Sequence, residues 1–142
     1  MAATPVKWRT WDLGAFRMQT PANLQQVAGG IDSQAGTLSA DGLRVIYDFG
    51  RYSDPLERTG DTLDYQSQAG VVDGLPGRMV QFRVNDPAAA TQFCSGVHVP
   101  RAQPSPSAAL SLTVLACAPT VEQLAPVPAI IASIRLRASA SR

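Results

Sequence analysis

The fold is decided by the stretch Gly29–Pro55, GGIDSQAGTLSADGLRVIYDFGRYSDP, which reads as a strand, a tight turn, a second strand and a polar loop. Asp41-Gly42 is the dipeptide typical of a two-residue type I′ turn, in which both central residues need a positive φ. That turn places Leu38 opposite Val45 and puts Val45, Tyr47 and Phe49 on one face of the second strand. The stretch therefore predicts a central β-hairpin on which the rest of the chain packs.

Two further hairpins are predicted to extend this sheet. The first joins residues 65–72 to 79–84 around a turn at Asp73–Gly77, and the second joins 92–99 to 109–117 around a proline-rich loop at 100–107. Eleven glycines and eleven prolines agree with a turn-rich, sheet-rich protein.

The register of the last hairpin places two cysteines side by side. The pairing that sets Val97 opposite Val114 also sets Cys94 opposite Cys117, and a one-residue slip would move every apolar side chain to the other face. We therefore predict a cross-strand disulfide, which would contribute roughly 3 kcal/mol by restricting the unfolded chain. The alternative is two buried free thiols that pack as small apolar groups.

The C-terminal region, 119–134, has apolar residues at helical spacing, whereas Pro126 and Pro128 predict a kink or two short helices. The sequence thus predicts an α+β domain, with an antiparallel sheet of about six strands and a C-terminal helix packed on one face. The sequence also allows a short N-terminal helix over 21–27. The expected organisation is an N-terminal segment (1–14), a single domain (15–137) and a polar tail (138–142).

Composition argues against two classes of protein. The 142 residues carry a net charge of +1, and only 16% of them are charged, whereas a nucleic-acid-binding domain normally gathers a strong basic excess. No apolar run approaches the roughly 18 residues of a membrane-spanning helix. We therefore expect neither a nucleic-acid partner nor a transmembrane segment.

The chain has one histidine, His98, which limits the chemistry available. Cys94 lies four positions away on the same predicted strand, about 13 Å at strand rise, too far for a nucleophile–base pair. One histidine and two mutually bonded cysteines cannot form a zinc site, and no phosphate-binding glycine motif is present. We therefore predict no catalytic residue, no metal and no cofactor.

A candidate binding surface lies where the two ends of the central hairpin meet. Asp32 and Ser33 precede its first strand, and Arg51, Tyr52 and Asp54 follow its second. Arginine and tyrosine are enriched in protein interfaces. The predicted partner is therefore a protein.

The alternative interpretation of this hairpin is a small hydrolase that uses its aspartate, serine and tyrosine residues. A concave pocket joining Asp32, Asp48 and Tyr52, with a shifted carboxylate pKa, would favour that alternative.

Two patterns carry a family resemblance. Gly30-Ile-Asp-Ser33 together with Tyr47-Asp-Phe-Gly-Arg-Tyr-Ser53 resembles uncharacterised bacterial secreted or lipoprotein-type domains. The strand 110–114 and the helix that ends at 130–134 are similar to the last strand and helix of PsbP-like domains. This resemblance implies an antiparallel sheet with helices on one face and a binding, assembly or adaptor role, and it carries over no functional residue.

The compartment is predicted from the cysteines, because the N-terminus shows no export signal. A disulfide is typical of an oxidising compartment, so we expect a periplasmic or secreted protein whose signal has been removed; the alternative is a cytoplasmic protein. The predicted function is a non-enzymatic cell-envelope binding or adaptor protein. A more specific hypothesis is an immunity or inhibitor protein that neutralises an exported toxin.

Overall fold

The structure, a computed structural model, describes residues 7–29, 34–60, 62–84, 93–104 and 109–136. These residues form ten strands, a single 3₁₀ turn (Glu122–Leu124) and one α-helix, α1 (Val127–Ala132). The strands are β1 (Trp8–Asp12), β2 (Phe16–Pro21), β3 (Gln25–Gly29), β4 (Ala35–Ala40), β5 (Leu43–Gly50), β6 (Thr62–Val72), β7 (Leu75–Val84), β8 (Phe93–Pro104), β9 (Ala109–Ala118) and β10 (Arg135–Leu136).

The strands form two sheets. A large sheet has the order β3-β4-β5-β9-β8-β7-β6, and a small sheet has the order β1-β2-β10; every pair in both is antiparallel. The predicted antiparallel sheet with a C-terminal helix is thus present. The expected number of about six strands is wrong, because strands pair at both termini where the sequence pattern is weak.

The helix allowed for over 21–27 is also wrong. The chain turns after Pro21 and continues as β3, in which Gln25 pairs with Ser39 of β4. Pairing with the neighbouring strand outweighs the weak helical preference of this short segment.

The central hairpin has the predicted register and turn. Leu38 lies opposite Val45, and φ is 53° at Asp41 and 86° at Gly42. Both central residues of the turn therefore have the positive φ that the Asp-Gly dipeptide predicts.

The next hairpin is tighter than predicted. Val72 pairs with Leu75, so the turn is Asp73-Gly74 alone, with φ of 48° and 81°. Pro76 belongs to β7 rather than to the turn. The second Asp-Gly dipeptide in the chain therefore makes the same kind of turn as the first.

The β8–β9 hairpin has the predicted register. Val97 pairs with Val114, and Cys94 pairs with Cys117, with their sulfur atoms 2.11 Å apart. This is the distance of a disulfide bond. β8 continues past Val99 through an irregular pairing, so most of the predicted 100–107 loop is strand, and 105–108 lies outside the described residues.

The C-terminal region forms two short helical segments, as the two prolines predict. Val127 and Ile130 on α1 and Ile134 after it are buried. The chain then re-enters the small sheet, where Leu136 pairs with Phe16 of β2. No helix in the described part of the chain is long and apolar enough to cross a membrane.

The main core lies between the small sheet with α1 and one face of the large sheet, called here the inner face. Phe16 is fully buried at its centre, with its ring centroid 5.9 Å from that of Tyr47 and 6.4 Å from that of Phe49. Trp11 of β1 also packs there, and its indole N–H donates to Thr20 Oγ1 at 2.9 Å. The opposite face, called the outer face, carries the cysteine pair and His98.

Candidate functional site

The predicted binding surface falls on the loop that follows β5, residues 51–60, called here the exit loop. Arg51, Tyr52 and Asp54 are exposed on it, and Tyr52 is the most exposed large apolar side chain described, at 88% of its full area. The structure thus displays three of the five predicted residues on a single loop. Asp32 and Ser33 lie outside the described residues.

The exit loop is attached to the outer face through a buried serine pair. Ser53 is buried although its neighbours are exposed, and its hydroxyl lies within hydrogen-bond distance of Ser111 Oγ in β9. Ser111 in turn donates to the carbonyl of Gly50 at 3.0 Å. Because that bond uses the only hydroxyl proton of Ser111, Ser53 is the donor in the serine pair.

The following residues are attached through their backbone carbonyls. Thr113 Oγ1 donates to the carbonyl of Asp54, and the guanidinium of Arg78 donates to that of Pro55. Tyr65 Oη donates to the carbonyl of Leu56, whose side chain is buried. Three strands thus hold three consecutive carbonyls of the loop.

A local hydrogen bond fixes the loop conformation between these attachments. Leu56 adopts a positive φ of 56°, which is unusual for a branched side chain. Its N–H donates to Asp54 Oδ1 at 2.8 Å, an Asx-type turn that stabilises the bend. Asp54 therefore shapes the loop as well as contributing charge to its surface.

His98 lies beneath the exit loop and is buried. Its Nδ1 is 3.1 Å from Thr113 Oγ1, and since the threonine proton goes to the carbonyl of Asp54, His98 Nδ1–H is the donor. Burial lowers the pKa of His98, the nearby charge of Arg78 lowers it further, and Asp54 and Glu57 oppose the shift. The histidine is therefore held neutral as part of the loop's support.

The same cluster contains an unusual buried group. Arg78 Nε has no hydrogen-bond partner among the described residues, although another nitrogen of the same guanidinium binds the carbonyl of Pro55. Arg78 faces His98 across the β7–β8 pair. Arg78 and His98 therefore lie next to each other under the exit loop.

Of the residues of the hydrolase alternative, Asp48 and Tyr52 lie in the described part of the chain and Asp32 lies outside it. Cavities of about 680, 520 and 780 Å³ occur in the described part of the chain, and neither Asp48 nor Tyr52 lines any of them. Ser53, which follows Tyr52 in the sequence, is buried and hydrogen-bonded to Ser111. In the part of the chain that the structure covers, no group of three or more histidine, cysteine, aspartate or glutamate residues is placed to hold a metal ion.

A second candidate site, which the sequence analysis missed, is a groove on the inner face over β6, β7 and β8. It consists of the adjoining cavities of about 680 and 520 Å³, whose shared lining is Gln66, Gln81, Ser95 and Pro128. The sheet forms its floor, and the C-terminal helical segments form one wall. The available signal in the sequence was glutamine at 66, 68 and 81, which strand alternation places on one face of β6 and β7.

Comparison with known proteins does not assign the chain to a family. No protein-family model matches it, and no curated protein matches it at a significant level. Function is therefore inferred from the side chains of the exit loop and the groove.

Proposed function

We propose that this protein is a non-enzymatic binding or adaptor domain of the bacterial cell envelope, and that it contacts a protein partner through the exit loop. The observation that carries this proposal is the exposure of Tyr52 in a loop whose next residue, Ser53, is buried. Tyrosine and arginine dominate the binding energy of many interfaces. Arg51 and Tyr52 therefore supply the expected contact residues at the tip of a supported loop.

The attachment of the loop supports a more specific role. Because the carbonyls of residues 54–56 are held by Thr113, Arg78 and Tyr65, little conformational freedom remains to be lost on binding. A pre-organised loop binds more tightly than a mobile one for the same contacts. This favours an immunity or inhibitor protein that inserts the loop into an exported toxin, within the binding role that the PsbP-like resemblance implies.

The proposed compartment is the periplasm or the extracellular space. The pairing of Cys94 with Cys117 supports it, since disulfides persist in oxidising compartments. Protein purified from its native compartment is expected to show no free thiol when denatured without a reductant. Two reactive thiols per chain would contradict the proposed oxidation and would favour the cytoplasmic alternative.

The partner contact is tested by affinity capture from cell-envelope extract, followed by binding measurements with the purified partner. Arg51→Ala and Tyr52→Ala are each expected to weaken binding more than about tenfold, as truncation of a central interface residue does. Arg58→Ala is the matched control, because Arg58 is exposed on the same loop. Equal affinity in all the variants would show that the Arg51–Asp54 surface has only a structural role.

A further inference from the structure

We propose that the groove over β6, β7 and β8 binds an extended, uncharged peptide segment. The groove lies on the inner face, whereas the exit loop is attached to the outer face through Thr113 and Arg78. The peptide site is therefore separate from the proposed partner surface and does not depend on it.

The charge of the groove selects an uncharged ligand. None of the residues lining the larger cavity is charged. In the smaller cavity the charged lining residues are Asp64 and Arg83, which form an ion pair with Arg83 Nε 2.7 Å from Asp64 Oδ2. A phosphate or a carboxylate ligand would find no unpaired cation in this lining, and a cationic ligand would find no unpaired anion.

The floor provides hydrogen-bonding groups in a regular array. Gln66 lies opposite Gln81, and Gln81 lies opposite Ser95, so a polar row crosses three strands. Gln68 is two residues from Gln66 on the same face of β6. The three glutamine side chains are exposed, and no described residue hydrogen-bonds to their amides.

The spacing of this array matches an extended main chain. Side chains two residues apart on a strand are separated by about 7 Å, and an extended peptide repeats its outward N–H and C=O groups over the same distance. A glutamine amide offers both a donor and an acceptor. Gln66 and Gln68 can therefore each bond to alternate residues of a peptide that runs along β6.

The wall of the groove is apolar and can contact the side chains of the bound peptide. Leu124, Pro128 and Ile131 of the C-terminal helical segments line the groove, and Val121 extends it. The floor from Asp64 to Val71 comprises eight residues of β6, and its first and last Cα atoms are roughly 23 Å apart at strand rise. This length fits a peptide of about six or seven residues with small or apolar side chains.

The proposal is tested by selecting binders from a random heptapeptide library displayed on phage, against the full chain with its disulfide intact. The selected peptides are expected to be rich in apolar residues and poor in charged ones. A synthetic peptide of the most enriched sequence, acetylated and amidated, is then measured by calorimetry. Its affinity is expected to be insensitive to salt, because the groove presents no unpaired charge.

Variants of the floor locate the bound peptide. The double variant Gln66→Ala/Gln81→Ala is expected to weaken binding about tenfold, since it removes two hydrogen-bonding amides. Gln25→Ala on β3 is the matched control, and thermal unfolding verifies that all variants fold. The proposal is overturned if no peptide is enriched over uncoated beads, if charged peptides dominate, or if the floor variant binds as well as the control.

Discussion

The two halves of the inner face differ sharply in chemistry. A row of paired residues changes from polar to apolar across six of the seven strands of the large sheet, from β6 to β4. From the β6 edge inward, this row is Gln66, Gln81, Ser95, Ala116, Val45 and Leu38. The apolar end lies under the small sheet and is buried, whereas Gln66 and Gln81 are exposed in the groove.

The difference shows how one sheet serves two purposes. The covered half needs apolar side chains because the small sheet and α1 pack on it, and burying them stabilises the fold. The open half has no covering layer among the described residues, so glutamine keeps it hydrated while leaving hydrogen-bonding groups available. An open half with valine in place of glutamine would instead be an exposed apolar patch prone to aggregation.

The largest expected effect comes from breaking the covered half. Phe16→Ala should lower the free energy of unfolding by about 3–5 kcal/mol, because it leaves a cavity between β2 and the rings of Tyr47 and Phe49. Gln68→Ala in the open half should change it by no more than about 0.5 kcal/mol. Urea denaturation followed by circular dichroism measures both. Similar losses in the two variants would show that the halves do not differ in their contribution to stability.

Local patterns predicted the covered half of the sheet well. The Asp41-Gly42 turn fixed the β4–β5 register, and matched apolar faces fixed that of β8 and β9. The small sheet was not predictable in the same way, because Arg17 pairs with Arg135 from the other end of the chain and no local pattern reports such a contact. The strand before the predicted tail, β10, is held by this distant pairing and by a hydrogen bond from the Leu136 N–H to Asp73 Oδ2 at 2.8 Å.

The candidate sites were predictable to different degrees. Arg51 and Tyr52 begin a polar loop directly after a strand, so their exposure could be expected from the sequence. The buried role of Ser53 could not, since it depends on Ser111, which is far away in the sequence. The groove exists because a covering layer ends above β8, and where a layer ends is a property of the assembled fold.

A smaller effect is expected at the two Asp-Gly turns, which differ in what lies above them. A Cβ at Gly42 would be 3.0 Å from Gln123 Nε2 and 3.2 Å from Pro119 Cδ, whereas at Gly74 it would meet nothing within 4 Å. Alanine at either position should cost roughly 1–2 kcal/mol for the positive φ. Gly42→Ala should cost more, because it also displaces Gln123 Nε2 from its hydrogen bond to the carbonyl of Asp41 at 2.6 Å.

Thermal unfolding of the two alanine variants compares the turns directly. A melting temperature that falls further for Gly42→Ala than for Gly74→Ala is the expected order. The reverse order would mean that the contacts of Pro119 and Gln123 with the β4–β5 turn do not add to the cost of alanine at Gly42.

The remaining prediction concerns the outer face of β8, where polar groups are buried and partnered rather than exposed as in the groove. The lowered pKa of His98 means that the unfolded chain binds a proton more readily than the folded one. The contribution of His98 to stability should therefore be constant above about pH 6.5, the usual histidine pKa, and should fall as the pH drops from there through the folded pKa. Below that second value this contribution should level off.

The assignment to His98 can be tested because the chain has no other histidine. His98→Asn retains a donor near the position of Nδ1 and removes the titration, so its free energy of unfolding should lose this fall between about pH 6.5 and the folded pKa of the wild type. Urea denaturation across a pH series measures both proteins. An identical pH profile in the two, or a wild type that gains stability on acidification, would contradict a neutral histidine supporting the exit loop. Protonation of His98 beside Arg78 would instead place two cations under the loop, which is why acid should weaken the attachment of the exit loop to the outer face.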